Sequence, residues 1–276
     1  MIAVLIPAHE EAATIGRCLA SVRVAAAHPA LLDEPVIVVV ALDRCSDSTG
    51  AIALEHGARV VVVEAPGGVG AARAAAARLA ISLGARWLAM TDADSWVPPD
   101  WLAAQLGHCA DAFCGLVEVI DWEDYAAPVR EAFGQRQHSG DDHPHVHGAN
   151  LGVSTELYLR SGGFLPLRCS EDVALVQALV QVQASIARKA LPAVRTSARR
   201  QARASGGFSH YLQTLEASVR AERRPPPGAE VNPDPGNQGD AFAPPLRQNS
   251  CRRLGTTARR VSMIFRRGRN YLRRSR

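Results

Sequence analysis

Two apolar runs near the N-terminus are continuous rather than alternating with polar residues. They read "IAVLIP" at residues 2–7 and "PVIVVVAL" at residues 35–42. Continuous runs rich in β-branched residues are typical of strands that are buried on both faces of a mostly parallel sheet. Residues 10–27, between the runs, have apolar positions at helical spacing. One face of that predicted helix consists of Ile15, Leu19 and Val22.

The same alternation continues to about residue 92. The spacing predicts a helix at 47–57, a strand at 58–65, an alanine-rich helix at 69–84 and a strand at 86–92. Four strands and three helices thus fit into about 95 residues, which is the usual spacing of a doubly wound nucleotide-binding fold. We therefore predict an α/β fold whose ligands bind beyond the carboxyl ends of the strands.

The regular alternation of predicted strands and helices ends at about residue 115. Residues 116–222 are predicted to form a mixed region, which contains the histidine-rich segment "QHSGDDHPHVHGANLG" and a helix that opens at "SEDVALVQALVQ". Proline, glycine and asparagine dominate residues 223–250, so we expect a disordered linker there. The predicted division of the chain is 1–115, 116–222, 223–250 and a basic tail at 251–276.

The positive charge of the chain is concentrated in that tail. The net charge is +4, yet residues 252–276 hold ten arginines and no acid, so the rest of the chain is net acidic. Apolar residues alternate with these arginines, which is compatible with a basic amphipathic helix at an anionic membrane surface. A disordered basic end is at least as well supported, because Gly268 weakens a helix. Nucleic-acid binding is the third interpretation of the tail, and we do not expect nucleic acid as a partner.

Cysteine spacing and apolar run length bear on the compartment. The six cysteines show no CxxC or other zinc-ligand spacing, so reduced thiols are expected. The N-terminal apolar run is too short for the core of a signal peptide, and no run approaches the roughly 18 to 20 residues of a membrane span. We expect a cytoplasmic chain, with peripheral contact to the inner face of the membrane limited to the basic tail.

Acidic side chains follow three of the four predicted strands. They are Glu10 and Glu11, then Asp43 and Asp47, then Asp92 and Asp94. Because the carboxyl ends of parallel strands meet at one edge of a sheet, these side chains should converge on one crevice. Two carboxylates at DxD spacing supply hard oxygen ligands to Mg²⁺ or Mn²⁺, which also binds phosphate oxygens. On spacing alone, the alternative is that Asp92 or Asp94 caps the helix near "PPDWLAAQLG".

Six segments occur in a fixed order along about the first 205 residues. They are "IPAHEEAATIGRCLAS", "VVVALDRCSDST", "GGVGAARAAAARLA", "WLAMTDADSWVPPDWL", "HGANLGVSTELYLRSGGF" and "SEDVALVQAL". In order and approximate spacing they resemble the family 2 glycosyltransferases of the GT-A fold. The resemblance implies a Rossmann-like, mixed and mostly parallel sheet flanked by helices, followed by a C-terminal acceptor-side region. Residues 1–115 would bind the nucleotide sugar, and residues 116–222 would bind the acceptor and carry the catalytic base.

The resemblance also implies a set of nucleotide-binding residues. They are Pro7, Ala8, Glu11, Asp43, Arg73 and Asp92. Asp43 would accept the imide hydrogen of a uracil base, and Asp92 would lie near the ribose. Asp94 would bind Mn²⁺ or Mg²⁺, and the same ion would bind the diphosphate of the donor. His147 is the best single candidate for a histidine that contacts the metal or the diphosphate.

The "SEDV" segment supplies the expected catalytic pair, Glu171 and Asp172. In the family the second acid of this pair is usually the base that takes the proton of the acceptor hydroxyl, so the resemblance assigns that role to Asp172. The residues alone also fit a simple helix start, in which Ser170 is the N-cap and the two acids favour the helix dipole.

The implied activity is transfer of a sugar from a nucleotide donor, with a UDP-sugar preferred, to a hydroxyl acceptor with inversion. A sugar-phosphate nucleotidyltransferase is an alternative, although the first strand is followed by "PAHEEA" and not by a glycine-rich, basic phosphate loop. A noncatalytic nucleotide-binding scaffold is a third interpretation. We expect an enzyme of the hexosyltransferase type.

Two further polar clusters are left outside the predicted site. Four histidines crowd one segment, at positions 138, 143, 145 and 147, but their spacing is not that of a zinc site. Residues 196–208 carry Arg199, Arg200 and Arg203, for which an exposed basic helix is the favoured interpretation.

Overall fold

The computed structural model describes residues 1–137, 140–200 and 206–222. Strands and helices alternate along its N-terminal part, which confirms the predicted pattern. The elements are β1 (Ile2–Ala8), α1 (Ile15–Ala26), β2 (Val36–Asp43), α2 (Thr49–Glu55), β3 (Arg59–Val63), α3 (Val69–Ser82) and β4 (Trp87–Met90).

The C-terminal part adds three strands and five helices to the described chain. They are α4 (Trp101–Gly107), β5 (Ala112–Asp121), α5 (Ala127–Arg136), β6 (Leu151–Ser154), α6 (Thr155–Arg160), α7 (Glu171–Gln181), β7 (Ile186–Ser197) and α8 (Phe208–Glu222). Short 3-10 helices occupy Pro29–Leu31 and Gly148–Asn150.

All described strands belong to one seven-stranded sheet with the order β3-β2-β1-β4-β6-β5-β7. β1 pairs in parallel with β2 and β4, and β2 pairs in parallel with β3. β6 is antiparallel to both of its neighbours, whereas β7 is parallel to β5. The predicted mixed, mostly parallel sheet is confirmed, and every described strand except β6 ends at the same edge.

Alternate residues of β1 belong to two separate cores. Ile2, Val4 and Ile6 pack with α1 on one face, whereas Ala3 and Leu5 pack against α3 on the other. Because both faces are covered, the strand needs apolar residues at successive positions, which explains the continuous run. The predicted face of α1 is also confirmed, since Ile15, Leu19 and Val22 are all buried.

α1 begins later than its spacing predicts. Residues 10–14 form a turn before Ile15, and the prediction that the helix occupies 10–27 is wrong at this end. Glu10 has a φ of 55°, which is incompatible with a continuous helix. Its carboxylate accepts a hydrogen bond of 2.6 Å from the Ser46 N–H, so the turn is tied to the loop after β2.

The region after residue 115 joins the same sheet through β5, β6 and β7. A third apolar cluster forms where α5 and α8 pack against the end of β5; it contains Tyr125, Phe133 and Leu212. The assignment of donor binding to 1–115 and of acceptor binding to 116–222 stays a prediction.

Several predictions fall near or beyond the described residues. Five cysteines lie in the described chain and all are free, as expected. None of the helices in the described ranges has the length and apolar character needed to cross a membrane. The chain divides into two units, Met1–Pro226 and Pro227–Arg276. The predicted linker at 223–250 and the basic tail at 251–276 lie outside the described residues.

Candidate active site

A cavity of about 630 Å³ opens at the carboxyl ends of the parallel strands. Every residue of the predicted site lines it. These residues are Pro7, Ala8, Glu11, Asp43, Arg73, Asp92, Asp94, His147, Glu171 and Asp172. The strand-end residues meet there because β1, β2 and β4 run in the same direction and end side by side. Arg73 comes from α3, Glu171 and Asp172 come from the start of α7, and His147 comes from the segment before β6.

Glu11 is the buried acid after β1, with 5% of its surface exposed. Its Oε2 accepts a hydrogen bond of 2.8 Å from the Thr14 hydroxyl, which lies at the start of α1. Its backbone N–H donates to the Thr49 hydroxyl at 2.8 Å. These contacts fix the carboxylate at the wall of the cavity, where its Oε1 points to a cation described below.

Asp43 ends β2 and is held by two neighbours. Its Oδ1 accepts a hydrogen bond of 2.9 Å from Arg44 Nε, and its Oδ2 accepts one of 2.9 Å from the Gly68 N–H. Burial by itself raises the pKa of this carboxyl, but the bonds from Arg44 and Gly68 outweigh it and lower the pKa. A Cβ on Gly67 would lie 2.1 Å from Asp43 Oδ1, so the glycine loop must approach this carboxylate through bare backbone.

Arg73 lies beneath the cavity and joins two of the predicted acids. Its Nη1 donates to Glu171 Oε1 and its Nη2 donates to Asp92 Oδ1, each at 2.6 Å. The arginine side chain is 3% exposed. Burial disfavours the charged form, yet Asp92 and Glu171 raise the pKa of Arg73 on balance. The structure therefore places Arg73 as a buried bridge between the end of β4 and the start of α7.

Gly148 packs directly against this arginine. A Cβ at position 148 would lie 1.9 Å from Arg73 Nη1, which leaves room for glycine alone. The Gly148 N–H also donates to Asp172 Oδ2 at 2.7 Å. The same short 3-10 helix thus contacts both the buried bridge and the predicted base.

Asp94 is the more buried member of the DxD pair, with a side chain that is 12% exposed against 37% for Asp92. Burial raises the pKa of Asp94 to about 6, and the charges of Asp92 and Glu11 act in the same direction. Helix capping does not explain either residue, because α4 begins at Trp101 and its N-cap is Asp100. Asp94 is therefore a buried acid that requires a nearby cation when it is ionised.

The loop that carries Asp94 is attached to the last strand. Trp96 and Arg195 exchange two backbone hydrogen bonds, of 2.9 and 3.1 Å. The Ser95 hydroxyl donates to Thr196 Oγ1 at 3.0 Å, and the Arg17 guanidinium lies 3.5 Å above the Trp96 ring. Residues about 100 positions apart in sequence thus fix the DxD loop.

The predicted catalytic pair occupies the first turn of α7, where its two members differ in environment. Glu171 is 4% exposed and its carboxylate is bound by Arg73, whereas Asp172 is half-buried at the cavity wall. Asp172 Oδ1 accepts a hydrogen bond of 2.8 Å from the Val173 N–H, which adds to the bond from Gly148. Ser170 occupies the N-cap position of α7, as predicted, but within the described chain its side chain makes no capping hydrogen bond, and its φ of 60° differs from that of an ordinary N-cap.

His147 lies at the inner wall of the cavity. Burial lowers its pKa to about 4, so the imidazole is neutral near pH 7. Its buried Nε2 finds no hydrogen-bond partner among the described residues. The rings of His143, His145 and His147 follow one another at centroid distances of 6.0 and 5.7 Å, and His138 lies outside the described residues.

Arg199 belongs to the site although the sequence interpretation excluded it. Its Nη1 donates to Glu11 Oε1 at 2.6 Å, and its Nη2 lies 3.2 Å from Asp94 Oδ2. An exposed basic helix over 196–208 is wrong for the described part, since β7 extends to Ser197 and the Arg199 side chain is 23% exposed. The spacing of "TSARRQAR" carries no signal of this burial, because the contact depends on β7 lying beside the DxD loop.

Arg200 has a different role from its neighbour. It forms ion pairs with Asp124 and Glu216, and its guanidinium lies 4.0 Å from the centroid of the Tyr125 ring. These contacts attach α8 to the loop after β5, away from the predicted acids. Arg203 lies outside the described residues.

The donor atoms at the site suit a divalent cation that is shared with a substrate. Across the described residues, no three His, Cys, Asp or Glu side chains lie close enough to hold a metal by themselves. Mg²⁺ and Mn²⁺ sites in nucleotide enzymes need only one or two protein carboxylates, because phosphate oxygens and waters complete the shell. The buried carboxylate of Asp94 and the unpaired Nε2 of His147 are donors that fit this requirement.

Comparisons with known proteins support the family and the fold. The family model described as "Glycosyl transferase family 2" matches residues 3–158. No sequence among the curated proteins matches the chain. The structure resembles TarS 1-349 from S. aureus at 17% identity and a TM-score of 0.52; the match covers 79% of this chain and 64% of that one. The chain therefore spans less than two thirds of that relative.

Two further structures show the same fold. One is the mannosyltransferase PcManGT from Pyrobaculum calidifontis in complex with GDP-Man and Mn²⁺, at 17% identity and a TM-score of 0.54, with 80% of this chain and 74% of that one covered. The other is glucosyl-3-phosphoglycerate synthase from Mycobacterium tuberculosis with Mn²⁺, UDP and glucosyl-3-phosphoglycerate, at 20% identity and a TM-score of 0.51, with 80% and 77% covered. The sheet shares the GT-A architecture of these structures. Because the family model matches more than half of the residues, the chain belongs to glycosyl transferase family 2.

Proposed function

We propose that the protein transfers a sugar from a UDP-sugar to a hydroxyl acceptor, with inversion and with the help of Mn²⁺ or Mg²⁺. One observation carries the proposal: the acid that ends β2, a DxD pair and a half-buried acid at a helix start line a single cavity. This set supplies the groups that a single displacement at an anomeric carbon needs, namely a donor site, a cation site and a base.

The donor side of the cavity is formed by the strand ends. Asp43 has about four lone-pair sites, and the bonds from Arg44 and Gly68 leave acceptor capacity for the imide N–H of a uracil base. Asp92 Oδ2 can accept a ribose hydroxyl, since Arg73 binds only Oδ1. The same cavity is lined by Pro7, Ala8 and Glu11, which would form the wall beside a bound nucleoside. TarS 1-349 has a complex with UDP-GlcNAc, and PcManGT one with GDP-Man, which supports a nucleotide-sugar donor of either base class.

Asp172 is the proposed base. It accepts the proton of the acceptor hydroxyl as the hydroxyl oxygen forms a bond to the anomeric carbon. The bond between that carbon and the β-phosphate oxygen breaks, and its electron pair leaves with the nucleoside diphosphate. The N–H groups of Gly148 and Val173 hold the carboxylate in one orientation, which is what positioned proton transfer requires.

Glu171 is proposed to position Asp172 rather than to take the proton. Its carboxylate is buried and bound by Arg73 at 2.6 Å, so it is committed to the bridge beneath the cavity. Burial also raises the pKa of Glu171, and the charge of Arg73 only partly offsets this. Arg73 in turn holds Asp92, so one arginine fixes both the donor side and the helix that carries the base.

Asp94 and His147 would hold the metal together with the diphosphate. When bound, the cation supplies a Lewis acid that neutralises charge on the leaving diphosphate. Asp94 provides a carboxylate that is ionised above about pH 6, and His147 provides a neutral imidazole nitrogen. A low dielectric around both groups strengthens their interaction with a cation.

The acceptor side is the part of the cavity that α8 borders. Phe208 and Tyr211 line it, with their rings stacked at a centroid distance of 6.2 Å. Exposed aromatic faces of this kind suit the apolar face of a sugar or another hydroxyl compound. Peripheral membrane contact through 251–276 stays a prediction from the sequence, because that segment lies outside the described residues.

The test is a thermal-shift screen of nucleotide sugars with Mn²⁺ or Mg²⁺, followed by product analysis with the best donor. A specific rise in the unfolding temperature with UDP or a UDP-sugar plus metal is expected, because a ligand that binds the native state stabilises it. Transfer or slow hydrolysis of the donor, with product of inverted configuration, would complete the proposal. Pyrophosphate release from a nucleoside triphosphate and a sugar phosphate would instead identify a nucleotidyltransferase.

A further inference from the structure

Arg199 is the only arginine in the described chain that joins the acid after β1 to the DxD loop. Its two terminal nitrogens reach different carboxylates, Glu11 at 2.6 Å and Asp94 at 3.2 Å. The two acids come from separate strand ends, β1 and β4, and the arginine comes from the end of β7. A planar guanidinium suits this geometry because its donors diverge in a fixed fork.

The pairing offsets a concentration of negative charge. Burial raises the pKa of the Cys18 thiol, and the nearby charges of Asp94, Asp92 and Glu11 raise it further. Arg73 neutralises Asp92 from below, and Arg199 is the cation that faces Glu11 and Asp94. Buried carboxylates without a paired cation are strongly unfavourable, so one positive charge is required at this point.

A divalent cation at Asp94 would satisfy the same requirement as Arg199. The carboxylate has two oxygens, and Arg199 already lies against Oδ2. Two cations within a few ångströms in a partly buried site repel each other. A metal bound at Asp94 and the present position of Arg199 are therefore competing arrangements.

We infer that Arg199 is a positioning cation that competes with the divalent metal for Asp94 and turns to the donor diphosphate when the metal binds. The inference rests on the proposed metal-assisted use of a nucleotide sugar. Arg199 lines the same cavity as the strand-end acids, so a diphosphate bound there offers its guanidinium new acceptor oxygens. Binding of the metal to Asp94 frees Arg199 for the diphosphate, and binding of Arg199 to the diphosphate frees Asp94 for the metal. Each ligand therefore raises the affinity of the protein for the other.

The decisive experiment measures Mn²⁺ affinity directly, by electron paramagnetic resonance of free Mn²⁺, in the full chain without nucleotide. Arg199→Met should bind Mn²⁺ at least about tenfold more tightly than the wild type, because the competing charge is gone and two buried acids remain. The double variant Arg199→Met, Asp94→Asn should lose that gain, which locates the metal at Asp94. Equal affinity in the wild type and Arg199→Met would overturn the inference.

A matched control is available in β7, which ends just before Arg199. Arg195 carries the same charge as Arg199, but its side chain is 57% exposed and pairs with exposed Glu118 at 3.5 Å. Arg195→Met removes one positive charge from the protein without unpairing Asp94. Its Mn²⁺ affinity should stay within about twofold of that of the wild type. A gain as large as that of Arg199→Met would show that the lower net charge of the protein, and not the loss of the pairing with Asp94, causes the tighter binding.

A second variant and a second readout cover the case in which Arg199→Met folds poorly. Arg199→Lys keeps the charge but offers a single ammonium, which cannot bridge Glu11 and Asp94 as a fork does. Its Mn²⁺ affinity should lie between those of the wild type and Arg199→Met. UDP should also tighten Mn²⁺ binding by a larger factor in the wild type than in either variant, and an unchanged factor would contradict the inference.

These measurements separate the inference from the proposed function. Mn²⁺ binding without nucleotide does not require sugar transfer, so the affinity gain can appear even if no donor is turned over. Conversely, transfer that is abolished by Asp172→Asn, together with unchanged Mn²⁺ affinity in Arg199→Met, would support the function and overturn the competition. A merely structural role of Arg199 would lower stability without any gain in metal affinity.

Discussion

The two ends of the same parallel strands carry ion pairs of opposite character. At the amino ends of β1, β2 and β4, Glu34 accepts hydrogen bonds from the N-terminal ammonium of Met1 at 2.8 Å and from Arg86 at 2.7 and 2.5 Å. The Arg86 side chain is 56% exposed. Two cations thus surround one acid at the protein surface, where water already solvates the charges.

At the carboxyl ends the acids outnumber the cations. The buried Arg73 and the half-buried Arg199 lie between four carboxylates, those of Glu11, Asp92, Asp94 and Glu171. Burial raises the pKa of Asp94 at this end, whereas hydrogen bonds from Arg86 lower the pKa of Glu34 to about 2 at the other. The two ends therefore differ in charge balance, because the amino end pairs one acid with two cations at the surface, whereas the carboxyl end keeps more acids than cations.

The largest expected effect distinguishes the two ends by activity. Asp172→Asn at the carboxyl end should lower the rate of sugar transfer by about 10² to 10⁴, because the base is lost, while donor affinity changes little. Asp111→Asn is the matched control, since Asp111 bonds Ser185 just before β5 at the other edge of the sheet. Steady-state kinetics and donor titration would measure both. Similar losses in the two variants would contradict the assignment.

The next effect concerns stability. Arg73→Met should reduce the free energy of unfolding by about 3 to 5 kcal/mol, because the buried carboxylate of Glu171 is left unpaired and the half-buried Asp92 also loses its partner. Arg86→Met at the exposed end should cost no more than about 1 kcal/mol. Urea unfolding monitored by circular dichroism would measure both values. If the two substitutions lower the free energy of unfolding by the same amount, burial does not make the ion pairs at the two ends differ in their contribution to stability.

A smaller effect tests how closely backbone packs at the carboxyl end. Gly148→Ala should destabilise the protein by about 1 to 3 kcal/mol and slow transfer, because the new Cβ meets Arg73 and moves the N–H that holds Asp172. Gly134→Ala in α5 is the control, since nothing lies within 4 Å of its Cβ position. Alanine there should instead stabilise by about 0.5 to 1 kcal/mol. The same unfolding assay reads both changes.

The smallest effect is the acid dependence of the exposed cluster. The pKa of Glu34 is lowered from 4.5 to about 2 in the folded protein, first by hydrogen bonds from Arg86. A lowered pKa contributes stability above pH 4.5, which is lost as the pH falls from 4.5 towards 2. The unfolding temperature of wild type should therefore fall more steeply over this window than that of Glu34→Gln. Parallel curves would show that the pairing has no effect on stability.

The apolar pattern predicted the N-terminal half well for a physical reason. A strand buried on both faces needs a long apolar run, and Val38, Val39 and Val40 leave little alternative to a strand. The start of α1 was predicted wrongly because Glu10 bonds to the Ser46 N–H, and the spacing of apolar residues does not contain that contact. Ser170 was placed correctly at the N-cap position of α7, but the sequence did not reveal that its backbone adopts a left-handed conformation there.

Some positions of the site residues could be predicted from the local sequence, and others depend on tertiary contacts. Asp43, Asp92 and Asp94 were predictable because a strand end fixes where its next side chains lie. Arg199 was not, since its neighbours Glu11 and Asp94 are distant in sequence and meet it only through the attachment of the DxD loop to β7. The glycine-rich segment predicted that Arg73 belongs to the site, but it did not predict that Arg73 is buried between Asp92 and Glu171.

The sequence by itself determined the alternation of strands and helices, the family, and the acids that follow each strand, because these depend on local periodicity and on short segments in a fixed order. Only the tertiary structure decided which cation neutralises which acid, because ion pairing depends on distances of a few ångströms between side chains that chain order does not bring together. Glu171 and Asp172, adjacent in sequence, show the consequence: one is buried against Arg73, and the other faces the cavity.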